Sequence, residues 1–341
     1  MKQVAILGGS FDPIHCGHLQ MATTAKKELG VDEVWFMPTK STPLKDRQLT
    51  SETDRLHMIE LAIEEEPSFK VCTIELERNE KSYTYDTLQI CQKKYPDIEF
   101  TWLIGNDQME QFHAWKNAED LIHMAHFVCF DRDGRFGSNP YGMRCIHMKM
   151  IPVSSSEVRK GNKLNYVPKK VLEYMYDHRL YIQNFVKERV KPKRFLHSLS
   201  VADLCEKFAN ANGLDPQVAY LTGLFHDICK SMPKDEMEKW IRACCPENLR
   251  YAVPVWHGFV GAEVVKRVFY MNDERIIHAI YWHVLGLSED PYAMMVFCAD
   301  KLDPLRDYDS SSLIQSCMED LKQGFKMVKE ENQKYLSKGE K

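Results

Sequence analysis

Through residue 183 the chain alternates short apolar runs with longer stretches whose apolar positions recur every three or four residues. Val4–Leu7, Val34–Met37, Val71–Ile74, Phe100–Ile104, Phe127–Phe130 and Ile146–Val153 predict strands, because short continuous apolar runs suit strands buried on both faces. Helical spacing lies between several of them, at Leu19–Leu29, Thr53–Glu65, Tyr85–Tyr95 and Ala118–Ala125. That alternation predicts a parallel, doubly wound α/β sheet. Pro168 to His178 reads as a closing helix with proline at its start.

From Asn184 onward the strand signal fades. Phe195–Asn210, Gln217–Cys229, Lys234–Cys244, Gly258–Phe269, Glu274–His283 and Tyr292–Leu302 all show helical spacing, so this half is expected to be all-α. Two domains are predicted, 1–183 and 184–341, joined at the charged segment FVKERVKPKRF. Residues 322–341 read as a helix fraying into a tail, and no internal repeat is present.

Bulk composition narrows the class without naming a chemistry. A net charge of −4 gives no footprint for duplex nucleic acid, and no run approaches the ~20 apolar residues of a membrane helix. The N-terminal apolar run stops at Gly8, too early for a signal peptide. The 11 cysteines are scattered through apolar contexts without a C-x-x-C pair, which reads as reduced core thiols in a cytoplasmic protein.

The first chemical signal follows the first strand, in GGSFDPIHCGHL. Gly8 and Gly9 let backbone approach a ligand closely. His15 and His18 stand at an expected helix start, where free amides and the dipole favour a polyphosphate. Two histidines near a turn are more often ordinary surface residues. Other polar clusters also follow strands, however: Lys40 with Lys45, Asn106 with Asp107, and Ser154 to Ser156 with Arg159. Ligands of open α/β sheets bind beyond the carboxyl ends of strands, so these clusters should converge.

GGSFDPIHCGHL resembles the signature of the H-x-G-H nucleotidyltransferases, and SSSEVR resembles their closing motif. FMPTKSTPLKD, ELERNEKSYTYDTL and TWLIGNDQMEQFHAWKNAEDL narrow the resemblance to the bacterial nicotinate-nucleotide adenylyltransferases, over residues 1–183. The resemblance implies AMP transfer from ATP to nicotinate mononucleotide, giving deamido-NAD and pyrophosphate with Mg²⁺. It implies catalytic roles for His15, His18 and Arg159, and ATP contacts at Gly8, Gly9, Ser10, Phe11, Lys45, Gly105, Asp107, Ser155 and Ser156. Tyr83, Thr84 and Trp115 would border the pyridine nucleotide. Two departures fall near the phosphates: Leu44 where the family has histidine, and a short stretch between Arg159 and Val167.

The helical half holds His197, His226-Asp227, His257, His283 and Asp300, in the order H…HD…H…H…D. Each histidine alone is more often packed or solvated than a ligand. Together, mixed imidazole and carboxylate donors suit Fe, Mn or Co. The order, with KPKRFLHSLSVADLCEKFANANGLDP, AYLTGLFHDICKSMP and MVFCADKLDPLRDYD, resembles the HD-domain metal phosphohydrolases. The nearest resemblance is to bacterial enzymes that split diadenosine tetraphosphate symmetrically into two ADP. It implies metal ligation by His197, His226, Asp227 and Asp300, with His257 and His283 completing a second metal or meeting phosphate. Lys230 and Arg306 are its phosphate contacts. Val284 replaces the family's threonine, and Asp303 stands where glutamate is commoner, a shorter carboxylate expected to reach less far.

The expectation is therefore a bifunctional enzyme acting on small nucleotides, with no nucleic-acid or membrane partner and homo-oligomerisation left open. The rival reading is a nicotinamide mononucleotide acceptor, with the HD half sensing nucleotides or hydrolysing another one.

Overall fold

The computed structural model describes residues 1–40, 49–78, 83–131, 137–149, 151–306 and 308–339. Two compact units form, Met1–Arg159 with Asn165–Leu180, and Lys160–Leu164 with Tyr181–Lys341. The short excursion of 160–164 has a local cause. Arg189 donates to the carbonyls of Lys160 and Gly161, at 3.0 and 2.9 Å. Gly161 has φ 74°, and a Cβ there would lie 2.7 Å from the Phe185 ring.

The first unit runs β1 (Lys2–Gly9), α1 (Cys16–Leu29), β2 (Glu33–Pro38), α2 (Glu52–Ile63), β3 (Phe69–Val71), α3 (Thr84–Lys94) and β4 (Ile98–Gly105). It continues through α4 (Asn106–Glu110), α5 (Ala118–Met124), β5 (His126–Asp131), β6 (Arg144–His147), α6 (Ser155–Arg159) and α7 (Lys169–Asp177). Among the described residues the sheet has six strands in the order β3-β2-β1-β4-β5-β6, all parallel. This is the doubly wound arrangement, and its order reverses between β1 and β4. Gly9 and Gly105 end those two strands.

One sheet face buries Val4, Ile6, Trp35, Phe100, Trp102 and Phe127 against Leu88 and Cys91 of α3 and Leu121 of α5. Two strands differ from the sequence expectation. β3 spans 69–71 rather than 71–74, and β6 stops at His147 rather than Val153. Cys72 and Ile74 join the core beyond the last residue pair, Phe36 with Val71; the Cys72 N–H still donates to the Phe36 carbonyl at 2.9 Å, so the apolar run outlasts the strand.

The second unit comprises α8 (Ile182–Lys187), α9 (Pro192–Ala211), α10 (Pro216–Phe225), α11 (Lys234–Cys244), α12 (Trp256–Arg267), α13 (Glu274–Trp282), α14 (Pro291–Lys301), α15 (Ser311–Glu319) and α16 (Leu321–Gly339). It is all-helical. Tyr292–Ala299 of α14 and Val218–Phe225 of α10 are buried on every side, which marks these two helices as its centre. A Cβ on Gly223 would stand 2.7 Å from the Ala202 Cα, so only glycine lets α10 lie this close to α9. His226-Asp227 follow the end of α10, and Asp300 lies in the last turn of α14. All 11 cysteines are free. No described helix is long and apolar enough to cross a membrane.

Candidate functional sites

The loop between β1 and α1 is held by its backbone. Arg55 of α2 donates to the Ser10 carbonyl at 2.8 Å and to the Thr50 carbonyl at 3.1 Å. Arg159 donates to the Asp12 carbonyl at 2.5 Å, and the Ser155 hydroxyl donates to the Pro13 carbonyl at 2.9 Å. Two elements, α2 and α6, thus grip three stations of one loop, Ser10, Asp12 and Pro13. Ser155 and Arg159, expected on phosphate, carry this second duty; Ser156 is exposed. Phe11 adopts φ 45°, unusual for a bulky residue, and is 1% exposed. Its ring packs edge-on to His18 and against Phe36, so its side chain supports the site from beneath.

Helix α1 begins at Cys16, three residues before the expected Leu19, with His15 as its N-cap. The His15 and His18 rings stack at 3.7 Å. The His15 backbone N–H donates to His18 Nδ1 at 3.2 Å. An Nδ1 that accepts leaves the ring proton on Nε2, so His18 presents a donor. Gly8 and Gly9 end β1; a Cβ on Gly8 would come within 3.2 Å of Trp102. Gly105 ends β4, where a Cβ would meet Asp107 Oδ1 at 2.7 Å. These residues all lie at the carboxyl ends of β1 and β4 or just beyond.

On the acceptor side the structure brings residues 83–86 to residues 115–116. Lys116 Nζ binds Asp86 at 2.7 Å and lies 5.3 Å from the centre of the Tyr83 ring. Trp115 packs on Phe112 at 5.1 Å. Thr84 opens α3. Lys45 and Leu44 lie outside the described residues.

Arg55 belongs to none of the polar clusters expected at the site. It is 0% exposed and the largest fully buried side chain among the described residues. The signal was present: Arg55 lies on the buried stripe of α2 with Met58, Ile59 and Ile63, where an apolar residue belongs. Arg55→Met should leave two carbonyls unmatched, at about 1–3 kcal/mol each. It should lower Tm and raise KM for ATP more than it lowers kcat. Unchanged melting and kinetics would remove Arg55 from any role in shaping the loop.

In the helical unit the six expected ligands gather. His197, His226 and Asp300 form one group, and His226, Asp227 and His283 another, with donor atoms in each within 4.8 Å of one another. His257 Nε2 joins through Asp227 Oδ1 at 3.1 Å. The rings are aimed by a repeated local device. His226, His257 and His283 each donate Nδ1–H to the carbonyl three residues back, Gly223, Pro254 and Ile280, at 2.7, 2.8 and 2.6 Å. Carbonyls near helix ends and in turns lack full helical partners and can accept them.

His197 is aimed differently. Its Nδ1 donates to Asp303 Oδ2 at 2.5 Å, and Asp303 Oδ1 accepts from Ser200 at 2.6 Å. Asp303 therefore does reach, contrary to the expectation for a shorter carboxylate. The Nε2 atoms of His197, His226 and His283 are buried and make no hydrogen bond. His197 Nε2 lies 3.2 Å from Asp300 Oδ1, close but out of line for one. Buried nitrogens left in this state around two carboxylates fit a metal, with Nδ1 bonds fixing each tautomer as outer partners of a metal site do.

The protonation states of three imidazoles, His226, His257 and His283, agree with that fit, because a ligating ring must be neutral. Burial pushes the His226 pKa down to about 4 and lowers those of His257 and His283. Burial also pulls on His197, but Asp300 and Asp303 outweigh it and its pKa rises. Burial opposes ionisation of Asp227, yet the surrounding imidazoles hold it well below the carboxylate range. Asp300 is likewise lowered, with Lys301 the largest contributor against burial.

Cations ring this cluster. Arg194 binds Asp227 Oδ2 at 2.7 Å, Arg306 binds Asp300 Oδ1 at 3.0 Å, and Lys230 Nζ lies 3.1 Å from His257 Nε2. Arg194, three residues before His197 on α9, was not among the expected contacts; its i, i+3 spacing to a ligand was the available signal.

A parallel sheet with histidines at its switch point, followed by an all-helical His/Asp cluster, defines a two-domain protein of known classes. The cytidylyltransferase-like family matches residues 6–161 and the HD domain family matches residues 194–305. A Mycoplasma genitalium protein named probable nicotinate-nucleotide adenylyltransferase/Ap4A hydrolase is 30% identical over 341 residues, covering 95% of this chain and 96% of that one. Its Mycoplasma pneumoniae namesake is 27% identical over 338 residues, covering 95% and 97%. A Bacillus cytotoxicus protein named probable nicotinate-nucleotide adenylyltransferase is 43% identical over 176 residues, 51% of this chain and 91% of that one. The chain belongs to the two-domain nicotinate-nucleotide adenylyltransferase/Ap4A hydrolase family.

Proposed function

We propose that the chain carries two activities. Residues 1–183 transfer AMP from ATP to nicotinate mononucleotide, giving deamido-NAD and pyrophosphate. Residues 184–341 hydrolyse diadenosine tetraphosphate to two ADP at a metal centre. The observation that carries the pairing is that each unit has its own built site: a clamped, histidine-capped loop, and a buried His/Asp cluster with three unbonded Nε2 atoms. The names of the two Mycoplasma relatives support the same pairing.

In the first reaction an acceptor phosphate oxygen attacks the α-phosphorus of ATP while the bond to the β-phosphate breaks and pyrophosphate leaves. Such transfer needs positioning and charge stabilisation more than covalent chemistry from the protein. His18 Nε2–H donates to the α-phosphate oxygens, and His15 stacks behind it. Gly8, Gly9 and Ser10 bring backbone close, while Gly105 and Asp107 border the adenosine. Arg159 and Ser156 serve the β,γ-phosphates where Mg²⁺ would bind. Tyr83, Thr84 and Trp115 receive the pyridine ring.

In the second reaction His197, His226, Asp227 and Asp300 hold metal, with His257 and His283 completing the set. The mixed nitrogen and oxygen donors suit Fe, Mn or Co. A bound ion of this kind polarises phosphoryl oxygens and makes a water nucleophilic near neutral pH. Lys230, Arg194 and Arg306 stand beside the ligands to take the phosphate charges.

The assay that tests the first activity compares pyrophosphate release with nicotinate mononucleotide, nicotinamide mononucleotide and phosphopantetheine as acceptors. The acid nucleotide should be used fastest; preference for either alternative overturns the acceptor assignment.

A further inference from the structure

We propose that Leu196 and Leu305 form a nucleobase clamp at the rim of the helical unit's cavity, so that this site takes a base-capped polyphosphate in preference to a bare one. The inference rests on the hydrolase reading above and adds the contact that recognises the purine.

The cavity measures about 880 Å³ and its wall includes His197 and Asp303, beside the His/Asp cluster. That volume is within the range of small-molecule sites. Among the described residues its charged lining is Lys191, Lys193, Arg194, Lys230 and Arg306, with Asp303 as the acid. Five cations match a chain of several phosphates.

The same wall contains two leucines that the fold leaves in solvent, Leu196 at 57% and Leu305 at 63% exposure. A single exposed leucine carries no message. These two flank the metal-side cations in sequence: Leu196 lies between Arg194 and His197, and Leu305 immediately precedes Arg306. Each backbone position is fixed locally, Leu196 by α9 and Leu305 by its N–H bond to Asp303 Oδ1 at 3.0 Å. Both are therefore held beside the phosphate path by elements that also aim His197. Phosphate has no use for apolar surface, whereas the face of a purine does. A few anchoring charges with apolar walls is the composition of a nucleotide site, and burying the leucines on binding recovers contact that folding left unmade.

The test is calorimetric titration of ADP, and separately of inorganic pyrophosphate, into the full chain loaded with Mn²⁺. Arg194→Gln identifies the binding event belonging to this cavity, since it should weaken both ligands there. Leu196→Ser with Leu305→Ser should weaken ADP at least tenfold at that event and leave pyrophosphate within twofold. Neither substitution changes charge, and both side chains are exposed, so melting temperature should stay constant. Equal weakening of both ligands, or no change in ADP, overturns the clamp. Diadenosine tetraphosphate hydrolysis followed in parallel separates the two readings. Absent turnover with base-dependent ADP binding removes the hydrolase assignment and keeps the clamp; turnover with leucine-independent ADP binding does the reverse.

Discussion

Asp227→Ala should abolish metal binding and ADP formation from diadenosine tetraphosphate together. Asp227 stands at the crossing of the cluster: Oδ1 faces His257 at 3.1 Å and His283 at 3.7 Å, while Oδ2 faces His226 at 3.6 Å. It is also the anion that holds Arg194. Losing an outer partner of a metal site costs about 10–100-fold, so losing a ligand shared by this many neighbours should exceed about 100-fold in turnover. The variant should also lose the stabilisation that metal confers by mass action, so added metal should no longer raise its Tm. A chelator should bring the unaltered chain to the same state. Metal analysis of the purified variant alongside ADP release makes the check. Retained metal with wild-type turnover in the variant would remove Asp227 from the centre; metal bound to the unaltered chain with no ADP released would point to a sensing module.

His18→Ala should lower kcat for adenylyl transfer by about 10²–10³, the cost of removing one positioned donor. The reason is geometric. Three contacts settle the ring: the His15 amide on Nδ1, the His15 ring at 3.7 Å and the Phe11 ring at 5.0 Å. A donor held this firmly pays little reorganisation when charge develops on the α-phosphate. The effect should fall on kcat more than on KM for ATP, because the loop backbone remains pinned by Arg55, Arg159 and Ser155. Hydrolysis of diadenosine tetraphosphate by the same preparation should be unchanged, which controls for folding. A near-normal transfer rate in that preparation would assign the phosphate donor elsewhere.

Much of the framework was legible because hydrophobic periodicity is a local property. Lys234–Cys244 has the expected limits, and β1, β2, β4 and β5 extend the expected runs by one or two residues at each end. Helices α4, α6, α8 and α15, of 5, 5, 6 and 9 residues, fall outside the expected helical stretches. β6 ends at His147; beyond it Met148 is buried, whereas Ile151 and Val153 are only half-buried. Periodicity reads burial and cannot tell a ladder from a packed loop.

At the sites the division is sharper. The types and order of the chemical groups are written along the chain: the GGSFDPIHCGHL loop, the H…HD…H…H…D series, and the change from strand-and-helix to all-helix rhythm. What aims these groups comes from packing between distant segments. Arg55 lies 45 residues from the carbonyl it holds, Asp303 lies 106 residues from the imidazole it orients, and Gly223 is required by the Ala202 backbone on another helix. Residue type is written at each position, whereas orientation depends on which distant carbonyl or carboxylate packing brings within 3 Å. A hydrogen bond specifies direction only once both partners are in place, and that information exists only in the folded chain.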